Sequence, residues 1–246
     1  MKTNAKWWSP RLRQDVSVVR WGTGGRPVVL FPTAGGDAEE CERFLMIKAL
    51  EPLLGARRIR IYSCDAIGGR SLLDPGEKPT DKALAQKQFL AFVRHELVPA
   101  VRTDCNDPQA LIMCAGASIG AYNALLALCS HPDVFDTAVC LSGTYDLSRF
   151  FQGFHSQDFH LVSPLHMLAY LGNSAHLALL QTRFVLLGTG EGKWEAPWES
   201  WQVANLLGKR GIPNRVDVWG RGYHHDWVTW REMLPKYLDE LTMAAN

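Results

Sequence analysis

Short apolar runs alternate with segments of helical periodicity along most of this chain. Seven of the runs have the composition of β-strands, and several are nearly continuous hydrophobic stretches, as in strands that are covered on both faces. The strand candidates are Asp15–Arg20, Pro27–Phe31, Arg58–Ser63, Ala110–Cys114, Thr137–Leu141, Arg183–Leu187 and Arg215–Trp219. This alternation predicts an α/β fold with a mainly parallel central sheet and helices on both faces.

Helical patterns occupy the gaps between the strand candidates. The apolar spacing predicts helices at Ala38–Leu50, Asp81–Val98, Ile119–Cys129 and Trp227–Leu241. Residues 147–181 carry no strand pattern and are rich in aromatic residues and histidine. Because 246 residues suit one α/β domain, we expect a single domain over residues 1–246, with residues 147–181 as a small lid or pocket-wall insert.

Charge and composition indicate which kinds of binding partner and which cellular compartment to expect. Lysine and arginine total 26 and aspartate and glutamate 25, so the net charge of +1 predicts neither a nucleic-acid nor a membrane partner. The N-terminal residues lack the apolar region of a signal peptide, and no apolar run is long enough for a membrane helix. The six cysteines show no regular spacing, which favours free thiols in a reducing compartment. We therefore expect a cytoplasmic protein, whose oligomeric state these features do not specify.

A possible nucleophile lies at a junction between a strand and a helix. Residues 116–120 read Gly-Ala-Ser-Ile-Gly, directly after a buried strand candidate and directly before a predicted helix. A serine in such a turn has a strained backbone and an exposed hydroxyl group, and the glycines prevent clashes with neighbouring backbone. The alternative is a plain tight turn in which the serine caps the helix. The combination of strand, turn and helix favours Ser118 as a catalytic nucleophile.

A serine nucleophile needs a general base. In enzymes with this turn, the base is a histidine that follows the last strand. The last strand candidate, Arg215–Trp219, is followed at once by His224 and His225. The six earlier histidines are interpreted as surface or packing residues, although His155 and His160 are also candidates for lining the pocket.

At these positions the chain resembles the putative-esterase group of α/β-hydrolases. That group includes S-formylglutathione hydrolases of the esterase D type, feruloyl and acetyl esterases, polyhydroxyalkanoate depolymerase-like proteins and mycolyltransferases. The resemblance extends from about Val28 to Leu241. It is carried by residues 31–36, the turn at Ser118, residues 141–146, and His225-Asp226-Trp227 with Trp230. In this family the histidine directly before Asp-Trp is catalytic, which implies His225 rather than His224.

An oxyanion hole requires two backbone N–H groups directed at the developing negative charge. The residue after the nucleophile usually provides one of them, which predicts Ile119. The second is expected from the small, glycine-rich loop after Pro27–Phe31, and the family resemblance implies Ala34. The alternative for this loop is a simple flexible turn.

The acid that orients the histidine has three candidates. Glu191 and Glu195 follow the strand candidate Arg183–Leu187, where this fold usually places the acid, and Asp146 follows the preceding strand. Resemblance to the mycolyltransferases implies Glu195. For Glu191 the alternative is a solvated loop charge, and for Asp146 it is a turn or a helix cap. The three tryptophans in residues 194–201 are interpreted as packing of a surface helix rather than as a substrate platform.

Together these features predict a serine hydrolase that acts on carboxylic esters through a Ser-His-Glu triad and an acyl-enzyme. The substrate is expected to be a small-molecule or polymeric ester, and its acyl and alcohol parts are not specified. No cofactor or metal is implied, because the adjacent histidines point in different directions and no third spaced ligand follows. Two alternatives remain open, an acyltransferase on the same scaffold and a non-catalytic binding protein with this fold.

Overall fold

An eight-stranded sheet forms the centre of the fold in the computed structural model, which describes residues 1–154 and 156–243. The proposed pocket residue His155 lies outside the described residues. The strands are β1 (Lys2–Ser9), β2 (Gln14–Trp21), β3 (Arg26–Phe31), β4 (Ile59–Cys64), β5 (Ile112–Ala117), β6 (Phe135–Leu141), β7 (Phe184–Thr189) and β8 (Asn214–Val218). Their order across the sheet is β1-β2-β4-β3-β5-β6-β7-β8. The pairs β1–β2 and β2–β4 are antiparallel and the other pairs are parallel, which confirms the predicted mainly parallel sheet.

All seven strand candidates are strands, with their ends shifted by a few residues. The sequence did not predict β1, which pairs with β2 from Lys2 opposite Trp21 to Ser9 opposite Gln14. Residues 2–6 of β1 are exposed, so this edge strand carries no pattern of buried apolar positions. Strand β1 is therefore defined by its backbone pairing with β2, and amino-acid composition does not reveal such pairing.

Thirteen α-helices occur in the described residues. They are α1 (Glu40–Arg43), α2 (Met46–Ala49), α3 (Glu51–Gly55), α4 (Ile67–Leu73), α5 (Pro79–Phe92), α6 (Val98–Cys105), α7 (Ile119–Ser130), α8 (Ser148–Phe151), α9 (Gln157–Val162), α10 (Pro164–Tyr170), α11 (Ala175–Leu180), α12 (Pro197–Lys209) and α13 (Trp227–Met243). A π-helical turn at Val93–Leu97 joins α5 to α6. The prediction of one helix over Ala38–Leu50 was wrong, because Leu45 adopts a left-handed backbone with φ of 62° and separates α1 from α2.

Helices cover both faces of the sheet, as predicted. Buried side chains of α5, α6, α7 and α12 pack in one core, which includes Phe89, Leu125 and Leu207. Buried side chains of α2, α3 and α13 pack in the other, which includes Leu50 and Leu234. The sheet is therefore buried on both sides, which explains the continuous apolar character of its central strands.

The predicted insert at residues 147–181 contains, among its described residues, the short helices α8 to α11. Its buried side chains, such as Phe151, Phe159 and Leu168, join the same core as α7. The hydroxyl of Tyr122 in α7 donates to the carbonyl oxygen of Val162 at 2.7 Å. The insert is thus packed onto the sheet domain. Within the described residues, no helix combines the length and apolar character needed to cross a bilayer.

Candidate active site

Ser118 lies at the sharp turn between β5 and α7. Its backbone has φ of 57° and ψ of −121°, a conformation that side chains rarely adopt. Every other residue from Ile112 to Cys129 is buried, whereas Ser118 is partly exposed. The Ser118 N–H donates to the carbonyl oxygen of Leu141 at 2.9 Å, which ties the turn to the end of β6. The structure therefore presents one hydroxyl group on a strained backbone above an otherwise buried strand and helix.

Two glycines allow this turn to form. A Cβ atom on Gly116 would overlap the backbone of Gly120, and a Cβ atom on Gly120 would overlap the carbonyl oxygens of Phe31 and Pro32. Each of these distances falls below 3.0 Å, which real Cβ atoms essentially never show. The first turn of α7 therefore lies directly against the end of β3 and the loop that follows it.

That contact brings two backbone donors to the same region. The Ile119 N–H is the first of α7, and no acceptor for it is found in the described part of the chain. The Ala34 N–H, in the loop after β3, also has no acceptor among residues 1–154 and 156–243. Both donors are therefore available to a negatively charged oxygen, which the positive end of the helix dipole also favours.

A buried carboxylate holds the loop that carries Ala34. Glu40 in α1 is 6% exposed and accepts hydrogen bonds from the Thr33 N–H at 2.8 Å and from the Thr33 hydroxyl at 2.6 Å. The backbone of Ala34 also packs against Gly69 of α4 so closely that a Cβ atom there would overlap it. The loop is thus held in place, rather than forming the flexible turn considered as the alternative.

The histidine loop after β8 is interlocked with the loop after β7. The His225 N–H donates to the Lys193 carbonyl oxygen at 3.0 Å, and the Lys193 N–H donates to His224 Nδ1 at 2.8 Å. The Gly192 N–H donates to the Tyr223 carbonyl oxygen at 2.9 Å. His224 therefore has a structural contact of its own, whereas no side-chain hydrogen bond of the His225 ring is found among residues 1–154 and 156–243.

The His225 ring lies against Trp230, with ring centroids 5.2 Å apart and planes at 82°. Burial lowers the pKa of His225, the Asp226 carboxylate opposes this, and the Arg149 guanidinium in α8 lowers it further. This lowering favours the unprotonated ring, which is the state that a general base requires.

Glu195 is buried and accepts two hydroxyl hydrogen bonds. It is 9% exposed; its Oε1 accepts from Ser142 Oγ at 2.6 Å, and its Oε2 accepts from Thr189 Oγ1 at 3.2 Å. The pKa of Glu195 is raised, because the effect of burial outweighs the opposing hydrogen bonds from Ser142 and Thr189. The Ser142 hydroxyl in turn accepts from Trp230 Nε1 at 2.9 Å.

The two other acid candidates lie at the surface. Glu191 is exposed, and the described residues provide no hydrogen-bond partner for its side chain. Asp146 is also exposed, and its Oδ1 accepts from the Ser148 N–H at 2.9 Å at the start of α8. Hydrogen bonds from Ser148 lower the pKa of Asp146. Glu191 thus matches a solvated loop charge. Asp146 matches the turn rather than the helix cap, because Leu147 is the N-cap of α8 and the bond from Ser148 spans two residues.

The structure connects the candidates through a chain of contacts. The backbone of Ser118 is hydrogen-bonded to the end of β6, which Ser142 directly follows. Ser142 is hydrogen-bonded to Glu195 and to Trp230. The ring of Trp230 contacts the ring of His225. Among the described residues, no hydrogen bond joins the His225 ring to Ser118 or to Glu195. Such bonds are often long before substrate binds.

The predicted packing of the three tryptophans was wrong. Trp194, Trp198 and Trp201 are 78%, 66% and 49% exposed. The core-facing side of α12 is formed by Ser200, Val203, Ala204 and Leu207, so the tryptophans lie away from it. Three large aromatic side chains therefore face solvent, with Trp194 directly before Glu195 and the other two on α12.

Several residues of this region were missed as site residues in the sequence. Ser142 and Thr189 hold Glu195, and Glu40 holds the loop after β3. Glu199 holds the loop after β6, because its carboxylate accepts the N–H groups of Tyr145 and Asp146. For Ser142 and Thr189 a signal existed, since polar residues at the carboxyl ends of neighbouring parallel strands meet at one edge of the sheet.

Comparisons with known proteins add independent findings. The family model described as "Putative esterase" matches residues 69–241, the larger part of the chain. Comparison with curated protein sequences gives no match. A solved ferulic acid esterase is 15% identical with a TM-score of 0.78, and the match covers 99% of this chain and 98% of that one.

Two further solved structures are similar over nearly their whole length. An S-formylglutathione hydrolase from Agrobacterium tumefaciens is 12% identical with a TM-score of 0.75, over 99% of this chain and 95% of that one. MPT51 (FbpC1) from Mycobacterium tuberculosis is 18% identical with a TM-score of 0.72, over 100% of this chain and 99% of that one. At such low identity these likenesses establish the fold, and they confirm the predicted α/β-hydrolase fold.

Proposed function

This chain belongs to the putative esterase family of α/β-hydrolases and is an esterase-like hydrolase. We propose that it cleaves carboxylic esters through an acyl-enzyme on Ser118. One observation carries the proposal. Ser118 is the partly exposed residue of an otherwise buried strand–turn–helix, with φ of 57°. A backbone strained at a single hydroxyl group is typical of a nucleophile in this fold.

In the first half of the reaction, Ser118 Oγ attacks the ester carbonyl carbon while His225 takes the hydroxyl proton. The carbonyl oxygen becomes negatively charged in the tetrahedral intermediate. The N–H groups of Ile119 and Ala34 stabilise this oxyanion, since both are without an acceptor in the described structure. The intermediate collapses, the alcohol leaves with the proton held by His225, and the acyl group stays on Ser118.

In the second half, water replaces the alcohol. His225 takes a proton from the water as its oxygen attacks the acyl carbon, which gives a second tetrahedral intermediate. The bond from the acyl carbon to Ser118 Oγ then breaks, His225 returns the proton to Ser118 Oγ, and the carboxylic acid leaves. The Glu195 carboxylate stabilises the imidazolium that forms in each half. Burial of His225 lowers its pKa and so supports the role of a base at neutral pH.

The test is a panel of esters that varies acyl length and leaving group and includes a glutathione thioester. We expect hydrolysis of at least one carboxylic ester by the wild type and none above background by Ser118→Ala with the same melting temperature. A second set of assays adds acceptor alcohols, since a transesterified product in place of the free acid would identify an acyltransferase. If no ester is cleaved and a fluorophosphonate does not label the folded wild type, the proposal is wrong and a binding protein is favoured.

A further inference from the structure

We propose that Ser142 is a positioning residue that holds the Glu195 carboxylate in the orientation needed to support His225. This inference rests on the proposed function. Ser142 Oγ lies 2.6 Å from Glu195 Oε1 and 2.9 Å from Trp230 Nε1, and both neighbours are buried. Ser142 itself is 3% exposed.

The two partners fix the direction of the Ser142 hydroxyl proton. The indole N–H of Trp230 is a donor and has no acceptor function, so it occupies a lone pair of Ser142 Oγ. The serine proton is then directed to Glu195 Oε1. A proton on Glu195 would compete with that donor, so this hydrogen bond favours the ionised carboxylate and opposes the effect of burial.

The backbone of Ser142 is held as firmly as its side chain. The residue has φ of 46°, a left-handed conformation that favours glycine, yet the position carries a hydroxyl group. Its N–H donates to the Gly188 carbonyl oxygen at 2.7 Å, between the ends of β6 and β7. Backbone strain at a residue whose side chain bonds a buried carboxylate is what a positioning role predicts.

Trp230 connects this network to the base. Its indole N–H bonds Ser142, while its ring packs edge-on against His225. The Trp230 side chain therefore contacts His225 directly and Glu195 through the Ser142 hydroxyl group. Thr189 Oγ1 lies 3.2 Å from the second carboxylate oxygen and 3.1 Å from the Gly190 carbonyl oxygen, so its one proton is shared and Ser142 is the stronger support of the carboxylate.

Removing the Ser142 hydroxyl has a predictable effect on proton binding. Without this donor the carboxylate is less stabilised, so the pair formed by Glu195 and His225 binds its first proton at higher pH. The acid limb of kcat/KM should therefore move to higher pH. Substrate contacts are unchanged, so KM should change little while kcat falls by about 10- to 100-fold.

The experiment compares Ser142→Ala, Ser142→Gly and Trp230→Phe with the wild type. Initial rates of ester hydrolysis and rates of fluorophosphonate labelling are measured across pH, together with melting temperatures. Ser142→Gly keeps the left-handed backbone without strain, so a loss shared by the alanine and glycine variants is due to the hydroxyl group. Trp230→Phe keeps a ring beside His225 and removes the N–H, and we expect a smaller shift in the same direction.

Trp21→Phe serves as the matched control. The Trp21 indole also donates to a carboxylate, Glu42 Oε1 at 3.2 Å, but it lies on β2 away from the site. We expect its pH profile and kcat to equal those of the wild type. If folded Ser142→Ala and Ser142→Gly keep the wild-type kcat and acid limb, Ser142 has no positioning role. If the wild type itself is not labelled at Ser118, the proposed function fails, and this inference fails with it.

Discussion

The turn at Ser118 and the acid–base region are built in different ways. The turn consists of residues 116–120, which span the end of β5 and the start of α7, and its shape follows from two glycines that no side chain can replace. The acid–base region is assembled from the ends of β6 and β7, the loop before α12, the loop after β8, and α13. One half of the site is thus encoded locally and the other by tertiary contacts.

This difference has a physical consequence for the two halves. The backbone strain at Ser118 is maintained by close backbone packing of α7 against β3. The burial of Glu195 is offset by two hydroxyl hydrogen bonds that come from two different strand ends. Substitutions of the two turn glycines should therefore disturb folding, whereas substitutions in the proposed acid–base region should disturb proton transfer.

The largest difference is expected between two neighbouring histidines. His225→Ala removes the proposed base, and we expect kcat to fall by about 10⁴-fold or more. His224→Ala removes only the acceptor for the Lys193 N–H, so its loss should be far smaller. Steady-state kinetics with one ester substrate measures both, and a greater loss in His224→Ala than in His225→Ala would contradict the assignment.

The next effect concerns the acid. Glu195→Gln keeps the shape of the side chain and removes the charge that stabilises the imidazolium, so kcat should fall by roughly 10²- to 10⁴-fold. The exposed Glu191 and Asp146 provide controls of the same type. Glu191→Gln and Asp146→Asn should stay near the wild-type kcat, and a collapse of either with Glu195→Gln unaffected would identify a different acid.

A smaller effect, on the free energy of unfolding, tests the turn at Ser118. Gly116→Ala places a Cβ atom against the backbone of Gly120, and such overpacking costs about 1–3 kcal/mol or more in unfolding free energy. Gly55→Ala in α3 is the matched control, because no atom lies within 4 Å of a Cβ there. Urea denaturation should show the loss in Gly116→Ala and none in Gly55→Ala. Equal stability of the two variants would mean that the turn is not held by close packing.

The smallest expected effect is a shift in the pH profile of kcat/KM of the wild type, whose acid limb should lie at lower pH than an exposed histidine would give. Burial lowers the pKa of His225 below its ordinary value of 6.5, so the ring stays unprotonated to lower pH than an exposed histidine. Activity should accordingly be present above that lowered pKa and be lost as the pH falls through it. The pH profile of kcat/KM measures this, and a midpoint above 6.5 would show that burial does not control the base.

The locally encoded features were the ones that the sequence predicted best. The strand before Ser118, the turn and α7 were all found, because the apolar runs and the glycines lie within a few residues of each other. The break of the first helical region at Leu45 was missed, since no glycine or proline marks it. The exposed edge strand β1 was missed because its register depends on β2 rather than on its own side chains.

The tertiary half of the site was predicted less completely. Position in the chain and family resemblance led to His225 and Glu195, but neither identified Ser142 or Thr189 as their supports. Ser142 and Glu195 are 53 positions apart in the sequence, and the contact forms because β6 and β7 are neighbours in the sheet. The exposure of Trp194, Trp198 and Trp201 was also missed, because aromatic content alone does not state which side of a helix faces the core.

The central claim, that Ser118 carries the acyl group, is tested most directly by locating a covalent adduct. The wild type is incubated with a fluorophosphonate, digested, and mapped by mass spectrometry, with Ser118→Ala treated in parallel. We predict one modification, on the peptide that contains Ser118, and no modification of the folded alanine variant. An adduct on another residue, or undiminished labelling of Ser118→Ala, would contradict the account.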